Sequence, residues 1–416
     1  MTPRRILLVE LNEDGTTGGS HQALLDLVNG LDRRRWQPVV LCYQSNAFVG
    51  RFRVAGAEVH VWDAERSKER SVRGPWWMPW RAVTQPIAIA RRVRFIRDMR
   101  IDLVHVNNSP SFSFGDWLIA SRLAGIPCIS HVRGALARMT PPARYLIPRF
   151  DRLIAISASI EAHVQTVIGA RAAITRVYDG IDAEAVQAKV ARSREDVRAE
   201  LGVPDGDVFV LMVGHLRRWK GQHVLLQAAR LLEPAILARL RIVFVGAPDP
   251  FAPDYETELR EAAASGSFSS RVSFLGARSD VPDLMHAADV VVHASTVEEP
   301  FGLVVVEALV LGRPVIASRL GGPGEIVVEG AGWTFDPADP SQLANHLRFV
   351  CENPAAIAAA SAPARARAAS FRIADTVAGV ERVYDQVLGR RSPEGRDPDI
   401  SHVERVMHST GEIYPA

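Results

Sequence analysis

The chain has 416 residues, 47% hydrophobic and 23% charged, with a formal net charge of +2. That is ordinary globular composition, and at about 150 residues per domain the length calls for more than one core. No run of about 18 uninterrupted apolar residues exists to span a membrane, and three scattered cysteines, Cys42, Cys128 and Cys351, form no disulfide framework or zinc pattern.

The N-terminal stretch MTPRRILLVE reads as a first buried strand rather than a signal peptide. It lacks a small-residue cleavage site, and acids follow it directly. With the cysteine usage, this points to a cytoplasmic protein. DGTTGGS (14–20) is a glycine-rich loop leading into SHQALLDLVNGLD, whose apolar residues recur at helical spacing. WQPVVLCY, DLVHVNN, PCISHV and RLIAIS follow as short apolar runs of the kind found in parallel strands buried on both faces. Between residues 183 and 205 the chain turns polar and helical, and the pattern restarts with VFVLMVG, RIVFVGA, VSFLG, DVVVHAS and PVIAS. Helical patterns such as QHVLLQAARLL and DVPDLMHAAD separate these runs. Alternating β and α elements predict doubly wound α/β sheets, here two Rossmann-like domains facing across a cleft. The expected divisions are 1–190, 191–370, a C-terminal helix over 371–390 that packs back on the first domain, and a polar tail over 391–416. Ligands of such sheets bind beyond the carboxyl ends of the strands, so the cleft is the expected site.

The stretch EEPFGLVVVEALVLGRPVIAS (298–318) places Glu299 and Glu307 around an apolar run. With a helix starting near Gly302, the backbone N–H groups of Phe301, Gly302 and Leu303 are free to bind phosphate. Glu307, about one turn in, can accept hydrogen bonds from the two hydroxyls of a ribose. Glu299 precedes the helix and can reach the far end of a nucleotide sugar. Read alone, the two acids fit surface charge equally well. VGHLRRWKG (213–221) adds a strand-end cluster of His215, Arg217, Arg218 and Lys220, and RLGGPGE (319–325) adds another glycine-rich loop. Together these are phosphate-type loops on both halves of the chain.

These motifs resemble those of the retaining GT-B-fold glycosyltransferases of family four. The resemblance runs from TTGGS through HVNN (105–108), SHVRG (130–134), IAISASI (154–160), VYDGID (177–182), VGHLRRWKG and FLGARSDV (274–281) to EEPFGLVVVEAL, GRPVIAS and GGPGE. It implies an acceptor-binding first domain, a donor-binding second domain, and transfer of a sugar from a UDP- or GDP-sugar to a saccharide or lipid-linked acceptor. It implies further that Glu307 holds the donor ribose, that Glu299 contacts the donor sugar, and that Lys220 neutralises the diphosphate. The amides of Phe301, Gly302 and Leu303, and Gly18 and Gly19, would approach sugar or phosphate. His131 would face the donor sugar, and Arg133 would meet phosphate or acceptor. His215 stands where the family usually has an arginine, and Arg217 is the expected substitute.

Asp205-Gly206-Asp207 matches an Asp-x-Asp metal motif but sits in VPDGD, a turn sequence before a strand. No metal and no cofactor are expected. Between Arg66 and Arg100 there are ten basic and two acidic residues, with Trp76, Trp77 and Trp80 beside the arginines. That stretch suits either an interdomain or core-facing loop followed by a solvated helix, or docking on an anionic membrane surface, the inner leaflet in an envelope or exopolysaccharide pathway. No nucleic-acid-binding motif accompanies the charge. A same-fold sugar-nucleotide epimerase and a non-catalytic nucleotide-sugar-binding protein remain the alternative readings.

Overall fold

The computed structural model describes residues 2–11, 18–62, 77–108, 116–136, 141–169, 172–250, 252–264 and 269–389, without the side chains of 77–85, 141 and 142. The expected tail lies outside the described residues, as do most of the first glycine-rich loop and residues 63–76 of the basic stretch.

The first half forms β1 (Arg4–Glu10), β2 (Trp36–Cys42), β3 (Glu58–Val61), β4 (Leu103–Asn107), β5 (Cys128–Val132), β6 (Arg152–Ala155) and β7 (Ile174–Arg176). The second forms β8 (Val208–Val213), β9 (Leu240–Val245), β10 (Val272–Phe274), β11 (Val290–His293), β12 (Val315–Ser318) and β13 (Gly332–Phe335). The sheet orders are β3-β2-β1-β4-β5-β6-β7 and β10-β9-β8-β11-β12-β13. Every recorded pairing is parallel. Strand residues such as Ile6, Leu7, Leu8 and Val9 are fully buried on alternating faces because helices cover both sides. In each sheet the order reverses beside the first strand, at β1/β4 and at β8/β11, which opens a crevice at the carboxyl ends there.

The two halves share one apolar cluster. Trp117, Leu136 and Ile160 of the first half join Phe301, Val305 and Ile326 of the second. Phe301 also meets Tyr178 and Phe371 as aromatic neighbours. Polar contacts fix the join. The Glu325 carboxylate accepts the backbone N–H groups of Ala158 (2.9 Å) and Ser159 (2.6 Å) and the Tyr178 hydroxyl (3.3 Å). Ala158 and Ser159 open the helix Ala158–Ile168, so an acid from one half caps a helix of the other.

The chain then returns. Ile181 and Arg372 form a parallel bridge, and the helix Ile373–Val387 lies on the first sheet. Its Val377, Val380, Val383 and Tyr384 pack with Leu24, Leu27 and Trp36. Arg35 pairs with Glu381 and Asp385, and the Tyr384 hydroxyl lies 2.7 Å from His105 Nδ1. Part of the basic stretch also faces inward. Arg92 is buried over the Trp117 ring and within 3.7 Å of Asp116. Among the described residues no helix is long and apolar enough to cross a membrane.

Tyr384 is fully buried with its hydroxyl partnered. Tyr384→Ala is expected to lower stability by about 3–5 kcal/mol, as for other large aromatic truncations. Denaturant unfolding measures this, with the exposed Gln386→Ala as the control that changes little.

Candidate active site

The cleft-facing residues sit on loops that leave the carboxyl ends of β8, β11 and β12. After β11, Ser295 and Glu299 fold back against β8's loop. Lys220 Nζ donates to both Glu299 oxygens, at 2.9 and 2.7 Å, and the Ser295 hydroxyl donates to Oε2 at 3.1 Å. His293 Nε2 lies 3.6 Å from the same oxygen. Burial alone would raise the Glu299 carboxyl, but the His293 contact and the Lys220 charge outweigh it and hold the group at about 2. The Glu299 carbonyl accepts the Gly322 N–H at 2.8 Å, which ties the acid's loop to the glycine-rich turn after β12.

The helix Leu303–Val310 begins at Gly302, whose φ of +97° is left-handed and open to glycine at little cost. A Cβ there would also crowd Pro323 at 3.0 Å. Phe301, Gly302 and Leu303 therefore present N–H groups ahead of the first helical hydrogen bonds. Glu307 lies on this helix, half-buried. Burial pushes its carboxyl up to about 7, with the distant Lys189 and Asp26 charges acting in opposite directions. Two carboxylates of one motif thus sit on opposite sides of the usual carboxylate value.

From the first half, the backbone at Gly19 faces Leu303 across the cleft, since a Cβ there would lie 3.4 Å from the leucine Cδ1. Gly18 precedes the helix Gly19–Gly30 with open space around it. Arg133, just past β5, donates Nε to Asn107 Oδ1 (2.7 Å) and Nη1 to Asp179 Oδ2 (2.5 Å). Asn107 in turn donates to Glu10. The second Asp179 oxygen is buried without a partner.

The structure does not bring His131 to the cleft. It is fully enclosed in β5, its ring stacked on His105 with centroids 5.4 Å apart, and neither ring nitrogen has a partner. Burial, then the nearby Arg133, hold it well below its usual value, so it stays neutral. His131 shares a face with Ile129, and that face packs in the cluster beneath the C-terminal helix. Arg133, of the same parity, lies just past the strand's end, its side chain buried against Asn107 and Asp179.

The basic cluster also divides. Only Lys220 reaches Glu299. Arg217 Nε lies 3.2 Å from Asp249, Arg218 pairs with Glu258 and covers the Tyr255 ring, and His215 is exposed. Asp205 and Asp207 lie at the amino end of β8, the edge opposite Glu299, where Asp207 pairs with Arg271. Among the described residues no group of three His, Cys, Asp or Glu side chains converges as a metal site would.

Sequence reasoning missed four contributors: His293, Ser295, Asp179 and Glu325. The first two end a strand run, HAS, which is the signal that marks them. Glu325 closes the GGPGE motif, but its backbone partners Ala158 and Ser159 are more than 160 residues away.

The family model for glycosyl transferases group 1 matches residues 193–368, and that for glycosyltransferase family 4 matches residues 17–185. D-inositol 3-phosphate glycosyltransferase 1 of Catenulispora acidiphila is 31% identical over 317 residues, 70% of this chain and 74% of that protein. The chain belongs to the family-four glycosyltransferases. Glycogen synthase of Mycobacterium tuberculosis is 30% identical to this glycosyltransferase over 333 residues, 74% of each chain. The Anabaena Alr3699/HepE structure in complex with UDP superimposes with a TM-score of 0.76 at 26% identity, covering 92% of this glycosyltransferase and 100% of that chain. The fold is therefore GT-B, and the glycosyltransferase acts on a nucleotide-sugar donor.

The raised Glu307 carboxyl carries a stability consequence. The folded state keeps a proton there that the unfolded chain releases from pH 4.5 upward, so folding loses stability between about 4.5 and 7. Glu307→Gln is expected to raise the melting temperature at pH 8, and the gain should vanish below pH 4.5. A melting series across pH checks both limits.

Proposed function

We propose that this glycosyltransferase moves a sugar from a UDP- or GDP-sugar to a saccharide or lipid-linked acceptor, with retention of anomeric configuration and without a metal ion. The observation that carries the reading is the Lys220–Glu299 ion pair beside the open start of the Glu307 helix. A diphosphate on the Phe301, Gly302 and Leu303 amides attracts Lys220. The lysine then trades part of its Glu299 contact for phosphate, and Glu299 is freed to accept sugar hydroxyls. Glu307 accepts the ribose hydroxyls. The bond from C1 to the diphosphate oxygen breaks with its electron pair leaving on phosphate, where Lys220 and the helix amides stabilise the charge. The acceptor oxygen bonds C1, and its proton passes to the departing phosphate. Arg133, fixed by Asn107 and Asp179, faces the acceptor side. UDP is favoured as the base because Anabaena Alr3699/HepE, 25–26% identical, was solved with UDP and with UDP-glucose.

The acceptor pathway we propose is cell-envelope or exopolysaccharide assembly on a peripheral membrane enzyme. On the first half, Ile87 (66% exposed), Leu123 and Tyr145 are exposed apolar residues, and the exposed Arg94 and Arg122 pair with Asp98 and Asp151. Exposed apolar residues on the half whose sequence carries the basic stretch suit an anionic lipid surface.

A thermal-shift panel of UDP, GDP and ADP tests the donor site. UDP is expected to raise the melting temperature by mass action, and Glu307→Ala to abolish the rise. A product assay with UDP-sugars should then give transfer only when acceptor is added, a retained anomer, and a rate unchanged by chelator. Epimerisation of the donor sugar without acceptor would instead identify an epimerase, and a nucleotide shift without turnover of any donor would identify a non-catalytic binding protein.

Flotation with anionic vesicles tests the membrane reading. Binding is expected at low salt and should weaken as salt is raised. Absence of binding at low salt removes it.

A further inference from the structure

The amino edge of the second sheet holds a cavity of about 860 Å3, well away from Glu299. It lies where β8, β11 and β12 begin, between Asp207, Asp289 and Arg313, with Ser361 and Arg365 of the helix Pro354–Ala368 on one side. The volume is in the range of small-molecule sites.

Its charges are unevenly satisfied. Asp289 takes both Arg194 and Arg198, and Asp207 takes Arg271. The other three lining arginines have no such partner. Among the described residues Arg239, Arg313 and Arg365 form no ion pair with a carboxylate, and Arg313 donates only to the carbonyls of Leu311 and Ala288. Glu195 and Asp205 stand at the exposed rim. Burial, with the like charges of Arg194 and Arg365 opposed by Asp289, lowers the Arg313 guanidinium from its ordinary value.

The cations are also drawn together by the backbone. Gly312 has φ +69°, and a Cβ there would collide with the Arg365 guanidinium and the Ser361 hydroxyl. Glycine lets both donors close over the turn that carries Arg313. Arg313 and Arg365, held close to each other, and Arg239 on the same wall outnumber the acids left free by Arg194, Arg198 and Arg271, and such guanidinium groups are matched by an anion with several oxygens, which they grip through paired N–H donors.

We propose that this cavity is a second ligand site, which binds a small phosphate-bearing metabolite through Arg239, Arg313, Arg365 and the Ser361 hydroxyl. The site is separate from the donor cleft but not isolated from it. The helix Leu303–Val310, about 12 Å long, lies between Gly302 at the cleft and Gly312 at the cavity. Arg367, two residues beyond Arg365, donates to the carbonyls of Glu325 and Ile326 in the donor-side turn. An occupant therefore touches Gly312, just past the end of the first element, and the helix that carries Arg367 to the second.

Titration calorimetry with inorganic pyrophosphate tests the proposal in the full chain. Lys220→Ala removes the cleft cation but leaves the helix amides, so the part of the persisting binding that responds to the distal arginines reports the distal site. Arg365→Ala and Arg239→Ala, each made on the Lys220→Ala background, are expected to weaken that binding about tenfold, the usual loss for one charge-assisted contact. Arg365 is exposed, so its truncation leaves the core intact, and a thermal melt of each variant verifies this. Pyrophosphate binding that disappears with Lys220→Ala, that ignores both arginine substitutions, or that is absent at millimolar concentration overturns the proposal.

Discussion

Parallel pairing is the constraint from which the rest of this molecule follows. Because all strands of each sheet run one way, every loop that leaves a strand's carboxyl end emerges on one edge, and every loop that enters a strand emerges on the other. The sheet order reverses beside β1 and beside β8, so adjacent helices part at those points and leave room for a ligand. The Gly18–Gly19 turn, Arg133, Lys220 and Glu299 all occupy such positions. Glu325, received by the N–H groups of Ala158 and Ser159, brings the two crevices face to face.

Within that frame the two motif acids differ because their surroundings differ. Glu299 is enclosed together with a cation, a hydroxyl and an imidazole, and its charge is retained. Glu307 is half-buried, the Lys189 charge does not offset that burial, and its charge is disfavoured. Two acids of one motif can carry opposite protonation habits when one is paired and the other is desolvated. The consequence for binding is directional. A ligand that supplies hydroxyl donors to Glu307 replaces lost solvation, whereas a ligand at Glu299 must compete with an existing partner.

Much of this was readable from residues alone. Short β-branched runs separated by helical spacing gave the alternation of the two sheets, and EEPFG with GRPVIAS pointed to the glycosyltransferase family. His131 was not readable. Its place in the motif does not reveal which face of β5 packs against a helix, and a helix from the far end of the chain covers that face. Arg133 differs from it by two positions, which keeps the parity but passes the strand's end. Asp179 and Glu325 were hidden for a related reason. Each acts through a partner distant in sequence, and no local pattern records such a pairing. The partners of the basic residues were not legible either. Arg92 is buried, Arg217 and Arg218 pair with Asp249 and Glu258, and Lys220 pairs with Glu299.

The helix Ile373–Val387 completes the first sheet although it is encoded after the second. In space the first domain is one body, but along the chain it is two pieces. A ribosome delivers Leu24, Leu27 and Trp36 early and their cover last. At about 5–20 residues per second, the uncovered face waits on the order of tens of seconds, while the whole of the second domain is made. For that interval the nascent chain displays an apolar surface that nothing yet translated can shield. Cutting the gene between the sheets would make that condition permanent.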